Sequence, residues 1–346
     1  MTLFGNLGGG ESGGPFFDDL VVGQVFDSAP SMTLTPGVAA AHQQIVGDRL
    51  RMALDAGLAH AVTGIPGALA HPALVCDVAI GQSTLATQRV TANLFYRGLS
   101  FHRYPVIGDA LFTRTEVVGL KQNSDRPGRA PSGLAALRMT TVDHTGGLVL
   151  DFHRCAMLPL SPGAAHTGHA DDLSRIGAES TAADAAVTGA EHWDAEAFRS
   201  RVPGPHFHPD LAGSVLRSSA DVVSSAPELA RLTLNIAAVH HDSRASGGRR
   251  LVYGGHTIGL ALAQTTRLLP NIATVVGWRS CDHLGPVYEN DTVYSELEVQ
   301  AARVLPGERG GVLSLRSRVF ALGDHGADAG GEPRPVLDWQ FSVLHF

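Results

Sequence analysis

The chain has 346 residues, 44% apolar and 17% charged, with a formal net charge of −7 at pH 7. That length is long for one compact core and comfortable for two. The acidic balance argues against a nucleic-acid partner, which needs a basic face, and no apolar run approaches the ~20 residues of a membrane span. Three widely spaced cysteines, Cys76, Cys155 and Cys281, form no CxxC pattern and read as reduced, buried thiols of a cytoplasmic protein. The first fourteen residues are Gly-rich, without a basic start or an apolar stretch, and read as a mobile arm rather than a signal peptide.

In chain order, a Gly-centred opening at residues 20–26 precedes a helix from about Thr35. Pro36 suits its first turn, and it runs through His42 and Ile45. Residues 71–85 form a second helix, apolar on most sides, of the kind that sits in a protein centre. Four strands follow at 92–96, 109–118, 133–142 and 149–158, with a Pro/Gly/Arg-rich hairpin loop at 123–132. Residues 161–201 are rich in Ala, Gly, Thr and acidic side chains and read as a linker, partly helical around 191–199. The order then starts again. An opening at 211–216 leads to a helix from about Ser225 through Leu234, with Pro227 in its first turn. An apolar helix at 255–269 and strands at 274–281, 291–301, 311–322 and 335–346 complete the copy, with a polar, Gly-rich loop at 323–335.

The copies share text as well as order. PVIGDALFTRTEVVG at 105–119 is answered by PVYENDTVYSELEVQ at 286–300, and VLDFHRCAML at 149–158 by VLDWQFSVLH at 336–345. Two units, 15–160 and 202–346, joined by the 161–201 linker, are therefore expected. Helices followed by a run of strands predict an α+β fold, an antiparallel sheet with a helix on one face. The Val-Leu-Asp-aromatic strand of each copy is expected near the sheet centre. Between the two helices of each unit the copies diverge: the second reads Asn235-Ile-Ala-Ala-Val-His240-His241-Asp242, the first Asp48-Arg-Leu-Arg-Met-Ala53-Leu54-Asp55.

This order of elements resembles the hotdog fold of the MaoC-like (R)-specific enoyl-CoA hydratases, in tandem. That family's motif has the form Gly-Asp-x-Asn-Pro-Leu-His-x-Asp, followed by His-Gly-x-x-x-x-Gly at the start of a central helix. On that pattern Asn235 stands where the family has Asp, His240 on the His, and Asp242 on the last Asp. Tyr253-Gly254-Gly255-His256-Thr257-Ile258-Gly259 matches the helix start, with Tyr253 replacing its His. The first copy keeps Gly47-Asp48 but has Ala53 for the His and His71-Pro72 for His-Gly. More narrowly, IVGDRL, DVAIGQST, LFYRGL, HHD, RRLVYGGHTIGLA and DHLGPV resemble the mesaconyl-CoA hydratase group, also called β-methylmalyl-CoA dehydratases. The resemblance covers nearly the whole chain. It implies reversible hydration of a branched, carboxylated enoyl-CoA thioester, with the thioester as substrate and no cofactor.

Hydration of an enoyl thioester needs a base for water, an acid for Cα and donors for the thioester oxygen. His240 suits the role of base, because imidazole exchanges protons near pH 7. Unpaired N–H groups at a helix start suit the thioester oxygen, so Gly254 and Gly255 are candidate oxyanion donors, with Tyr253 and His256 beside them. Asn235 can orient water or His240 but cannot act as a base. The missing carboxylate could come from Asp242 or from Asp48, and each could equally be a capping or junction residue. Arg97, Arg103, Arg249 and Arg250 lie near the motifs and suit the phosphates of CoA or an acyl carboxylate, or are solvated loop charges. His240-His241, His206-x-His208 and His166-x-x-His169 lack a third ligand, so no metal site is expected. The expected partner is a small acyl-CoA, with a homodimer open. An acyl-CoA thioesterase on the same fold and a non-catalytic acyl-CoA binder are the alternative readings.

Overall fold

The computed structural model describes residues 13–164, 166–178, 187, 189–308, 310–323 and 331–346. Most of the expected N-terminal arm, part of the linker and most of the 323–335 loop lie outside the described residues. The N-terminal unit runs β1 (Val25–Phe26), β2 (Met32–Thr33), α1 (Pro36–Val46), α2 (Arg51–Leu54), α3 (Ala56–Thr63), α4 (Pro72–Gln82), β3 (Ala92–Phe101), β4 (Ala110–Gln122), β5 (Ser132–Asp143) and β6 (Leu148–Pro159). The linker carries α5 (Ala195–Arg201). The C-terminal unit runs β7 (Val215–Arg217), β8 (Asp221–Val222), α6 (Ala226–Leu232), α7 (Gly254–Leu268), β9 (Ile272–His283), β10 (Thr292–Val304), β11 (Gly311–Leu322) and β12 (Arg334–His345).

The strands form one 12-stranded antiparallel sheet of order β1-β4-β5-β6-β3-β9-β12-β11-β10-β7, with β2 against β4 and β8 against β10. The order is palindromic. Its centre is β3 against β9, where Tyr96 faces Cys281 and Arg97 faces Ser280. The Val-Leu-Asp-aromatic strands β6 and β12 lie one place outward from that centre, each between the joining strand and a hairpin partner.

Each half repeats the same local solutions. Asp109 and Asp291 close the turn before the long strand by accepting from the backbone N–H of Val106 (3.1 Å) and Tyr288 (3.0 Å). Gln82 and Gln264 tie the central helices to the sheet, donating to the carbonyls of Leu111 (2.9 Å) and Val293 (3.0 Å). Every residue of α4 is buried, and so is α7 from Gly255 to Thr266. Helices apolar all round need that enclosure, which the curled sheet and the opposite half supply.

The helices differ from expectation in two places. α6 ends at Leu232 rather than Leu234, because Leu234 takes a left-handed conformation (φ 62°) leading into the motif loop. α2 and α3 fill the diverged stretch of the first copy, where no helix is expected, α3 starting where the Asp55 side chain accepts from Gly57 and Leu58 N–H.

The segments before the central helices are exchanged across the pseudo-twofold. In the C-terminal half, Ile236 N–H donates to Thr84 Oγ1 (3.1 Å) and Ala238 N–H to the Gln88 carbonyl (3.1 Å), both in the N-terminal half. In the N-terminal half, Arg49 N–H donates to Thr266 Oγ1 (3.4 Å) and Arg51 Nε to the Pro270 carbonyl (3.2 Å). Each motif region therefore sits on the other half's helix.

Candidate active site

A cavity of about 590 Å³ opens between the halves, walled by the motif loop, the start of α7, the end of β9 and the N-terminal half's β3 and β6. Its lining includes Asn235, His240, Tyr253, Gly254 and His283 from one half, and Thr84, Thr87, Tyr96 and Arg154 from the other. No Asp or Glu lines it among the described residues.

His240 sits at the end of a single 3-10 turn, Ala238–His240, and is buried. Its Nδ1 lies 3.0 Å from the Leu251 carbonyl. A carbonyl only accepts, so Nδ1 carries the proton and Nε2 keeps its lone pair. Burial pushes the imidazole down to about 4, helped by His241 and by the positive charge of Arg154, against the Leu251 bond. It is a neutral base at pH 7. His241 turns the other way, its Nε2 2.6 Å from the Asn235 carbonyl, and braces the loop.

Asn235 is buried, and its Oδ1 accepts from Ala237 N–H at 3.0 Å. That bond holds the carboxamide through its oxygen, and Asn235 lines the cavity. Tyr253 caps α7 without a side-chain bond to the helix, so the first N–H groups of α7 have no capping side chain. Gly254 comes close to His283: a Cβ there would lie 2.7 Å from the imidazole ring. At Gly255 a Cβ would lie 2.1 Å from Asp77 Oδ1 and 2.5 Å from the Tyr253 ring. Both positions therefore require glycine on contact grounds. Burial, then the Asp77 charge, raises the Tyr253 phenol, which stays protonated.

A solved double-hotdog structure, Rv0216, a conserved hypothetical protein of Mycobacterium tuberculosis essential for bacterial survival during infection, is 65% identical and superimposes with a TM-score of 0.90, covering 96% of this chain and 99% of that one. The chain belongs to the double-hotdog family of that protein. A putative MaoC domain dehydratase of Chloroflexus aurantiacus is 26% identical and superimposes with a TM-score of 0.79, covering 96% of this chain and 97% of that one. Among curated relatives, the β-methylmalyl-CoA dehydratase of Chloroflexus aurantiacus is 27% identical, covering 96% of this chain and 97% of its own length. The mesaconyl-CoA hydratase of Cereibacter sphaeroides is 28% identical, covering 91% of each. No family model matches the chain.

Within this fold, the residues singled out from the sequence fall into three groups. His240, Asn235, Tyr253 and Gly254 come together at the cavity, with Gly255 directly behind. Asp242, Asp48 and His256 do not line it. Asp242 is half-buried, caps the turn Ser243–Ser246 and grips Arg244 through bonds of 2.7–3.0 Å, which hold it down to about 2. Asp48 is buried at the far end of α7. It accepts from Leu50 N–H (2.6 Å) and Thr266 Oγ1 (3.4 Å) and lies 3.2 Å from His71 Nε2. Thr266 is twelve residues beyond Gly254, about 18 Å along the helix axis, so Asp48 cannot complete a dyad with His240. His256 is fully buried inside α7 and pushed down to about 3 by burial and by His42.

The arginines form the third group. Arg97 points off the sheet face opposite Tyr96, donating to the Ser174 carbonyl (3.0 Å) over the Phe95 ring. Arg103 pairs with Asp143. Arg249 pairs with Asp291 (3.1 Å) over the ring of Tyr288, which lines the cavity, and Arg250 pairs with Glu289. None of the four lines the cavity; Arg249 and Arg250 precede the lining residue Leu251 in the chain.

Sequence reasoning missed Arg154, Tyr96, Thr87 and His283. One signal for Arg154 was present. In the paired texts VLDFHRCAML and VLDWQFSVLH, the fourth residue after Leu is Arg154 in one copy and Phe341 in the other. A cation where the repeat has an aromatic core residue marks the place at which the halves differ in chemistry. Among the described residues, no cluster of three or more His, Cys, Asp or Glu could hold a metal ion.

Proposed function

We propose that the chain is a hydro-lyase that interconverts β-methylmalyl-CoA and mesaconyl-CoA, with its one reacting site in the C-terminal half. The observation that carries the reading is a buried, neutral His240 of fixed tautomer in the same cavity as the glycine start of α7. The full-length likeness to a β-methylmalyl-CoA dehydratase and a mesaconyl-CoA hydratase supports the substrate.

In the hydration direction, His240 Nε2 takes one proton from water as the oxygen bonds Cβ. The C=C pair moves onto the thioester, and the N–H of Gly254 at the positive end of α7 stabilises the developing oxyanion. The imidazolium then gives its proton to Cα. Water is added across the double bond and His240 returns to its starting state. Asn235 holds the water, its carboxamide donating to the oxygen. A single residue carries the proton throughout, because no carboxylic acid lines the cavity among the described residues. A cytoplasmic location is part of the proposal and is supported by three free, buried cysteines.

The test is incubation of the purified protein with mesaconyl-CoA. The expected result is loss of the enoyl absorbance and a product heavier by one water. Release of free CoA thiol would instead favour a thioesterase, and tight binding without turnover would favour a non-catalytic acyl-CoA binder.

A further inference from the structure

Arg154 is the charged side chain that lines the cavity, and it is 4% exposed. It projects from β6 opposite Tyr96 on β3. Its Nη2 donates to Thr87 Oγ1 and it contacts the Tyr96 hydroxyl, while its Nε has no partner. Among the described residues it forms no ion pair with a carboxylate, unlike Arg103, Arg249, Arg250 and Arg316, each of which does. A buried guanidinium without a counter-charge is costly to keep and remains ionised. Its influence reaches the reacting centre, since its charge helps hold His240 neutral. The corresponding residue of the second copy is the buried, stacked Phe341. The fold itself therefore does not ask for a cation at this place.

We propose that Arg154 is the binding site for the free carboxylate of a dicarboxylic acyl chain, contributed by the N-terminal half to the site in the C-terminal half. In the substrate proposed above, the carboxylate is attached to Cβ, the atom that water attacks beside His240. A planar guanidinium with unpaired N–H groups pairs with a carboxylate by parallel hydrogen bonds and so fixes the acyl chain as well as attracting it. The N-terminal half, which lacks the histidine, then serves to recognise the acyl group. The inference rests on the hydro-lyase reading only for which end of the ligand enters the cavity.

The test compares two pairs of thioesters that differ only in carboxylate against methyl: mesaconyl-CoA with tigloyl-CoA for turnover, and methylsuccinyl-CoA with 2-methylbutyryl-CoA for binding by calorimetry. The wild type is expected to favour the carboxylated member of each pair by about 100-fold or more. Arg154→Met is expected to abolish that preference or reverse it, and Arg154→Lys to keep part of it. A wild type that binds both saturated thioesters equally overturns the inference. So does an Arg154→Met variant that weakens both members by the same factor, the outcome if Arg154 were structural or held a CoA phosphate. A binding preference without turnover of mesaconyl-CoA would leave the inference standing and remove the hydro-lyase reading.

Discussion

Burial is the main reason the proton affinity of His240 falls so far, with smaller contributions from His241 and the positive charge of Arg154. The base form is needed for hydration, so kcat/KM is expected to hold level from neutral pH downward and to fall only as pH approaches about 4. Asn235→Asp should change this. A carboxylate at that place favours the imidazolium, so the acid limb of the pH profile should move upward; a profile that does not move would place Asn235 out of contact with the reacting groups. At Gly254 the contact with the His283 ring is decisive. Gly254→Ala should lower kcat/KM by about 100-fold, because the added methyl displaces the imidazole or tilts the donor at the helix start. Steady-state kinetics on the purified variant checks this.

The two central helices and the segments crossing them carry the next level. Gly81 on α4 faces the loop that leads to Asn235: a Cβ there would lie 1.6 Å from the Thr233 carbonyl. The backbone cannot yield by that much without moving the motif loop. Gly81→Ala is expected to cost about 1–3 kcal/mol or more, read as a lowered melting temperature, with activity lost alongside. The elements themselves were legible in the sequence. Alternation located all eight long strands and the repeat located both apolar helices, because hydrophobic period and turn residues are local signals. α2 and α3 were not found, since residues 51–63 pack partly against α5 and β9 and carry no complete apolar stripe of their own. Asp48 and Asp242 were misplaced for a different reason. Motif spacing put Asp242 beside His240 and left Asp48 as the carboxylate kept in the first copy, but cap bonds to Arg244 and Leu50 N–H decide where each side chain points.

At the scale of the molecule, pairing β3 with β9 makes one sheet of two and brings β6 of one half over the motif of the other. The cavity is thus a property of both halves, and Arg154, Tyr96 and Thr87 could not be read from the motif's own neighbourhood. The same architecture buries several histidines in neutral form. His240 and His345 are pushed down to about 4 and His256 to about 3, all by burial first. The unfolded chain takes up protons at these groups near their ordinary pKa of 6.5, while the folded chain does not until far lower pH. Their contribution is thus intact above pH 6.5 and is lost as pH falls from there toward 4, at about 1.4 kcal/mol per pH unit for each group. Melting temperature is expected to drop steeply between about pH 6 and pH 4.5; a flat profile by calorimetry would contradict the neutral, buried assignment.

In the proposed mechanism turnover depends on one reacting residue in one of two similar halves. The direct measurement is the hydration rate of mesaconyl-CoA by the wild type and by His240→Ala, with thermal melts to show that both are folded. The expected result is turnover by the wild type and a loss of about 10²–10⁴-fold in the variant at an unchanged melting temperature. A folded His240→Ala protein that keeps more than about a tenth of the wild-type rate, a far smaller loss than removing a general base causes, would contradict it.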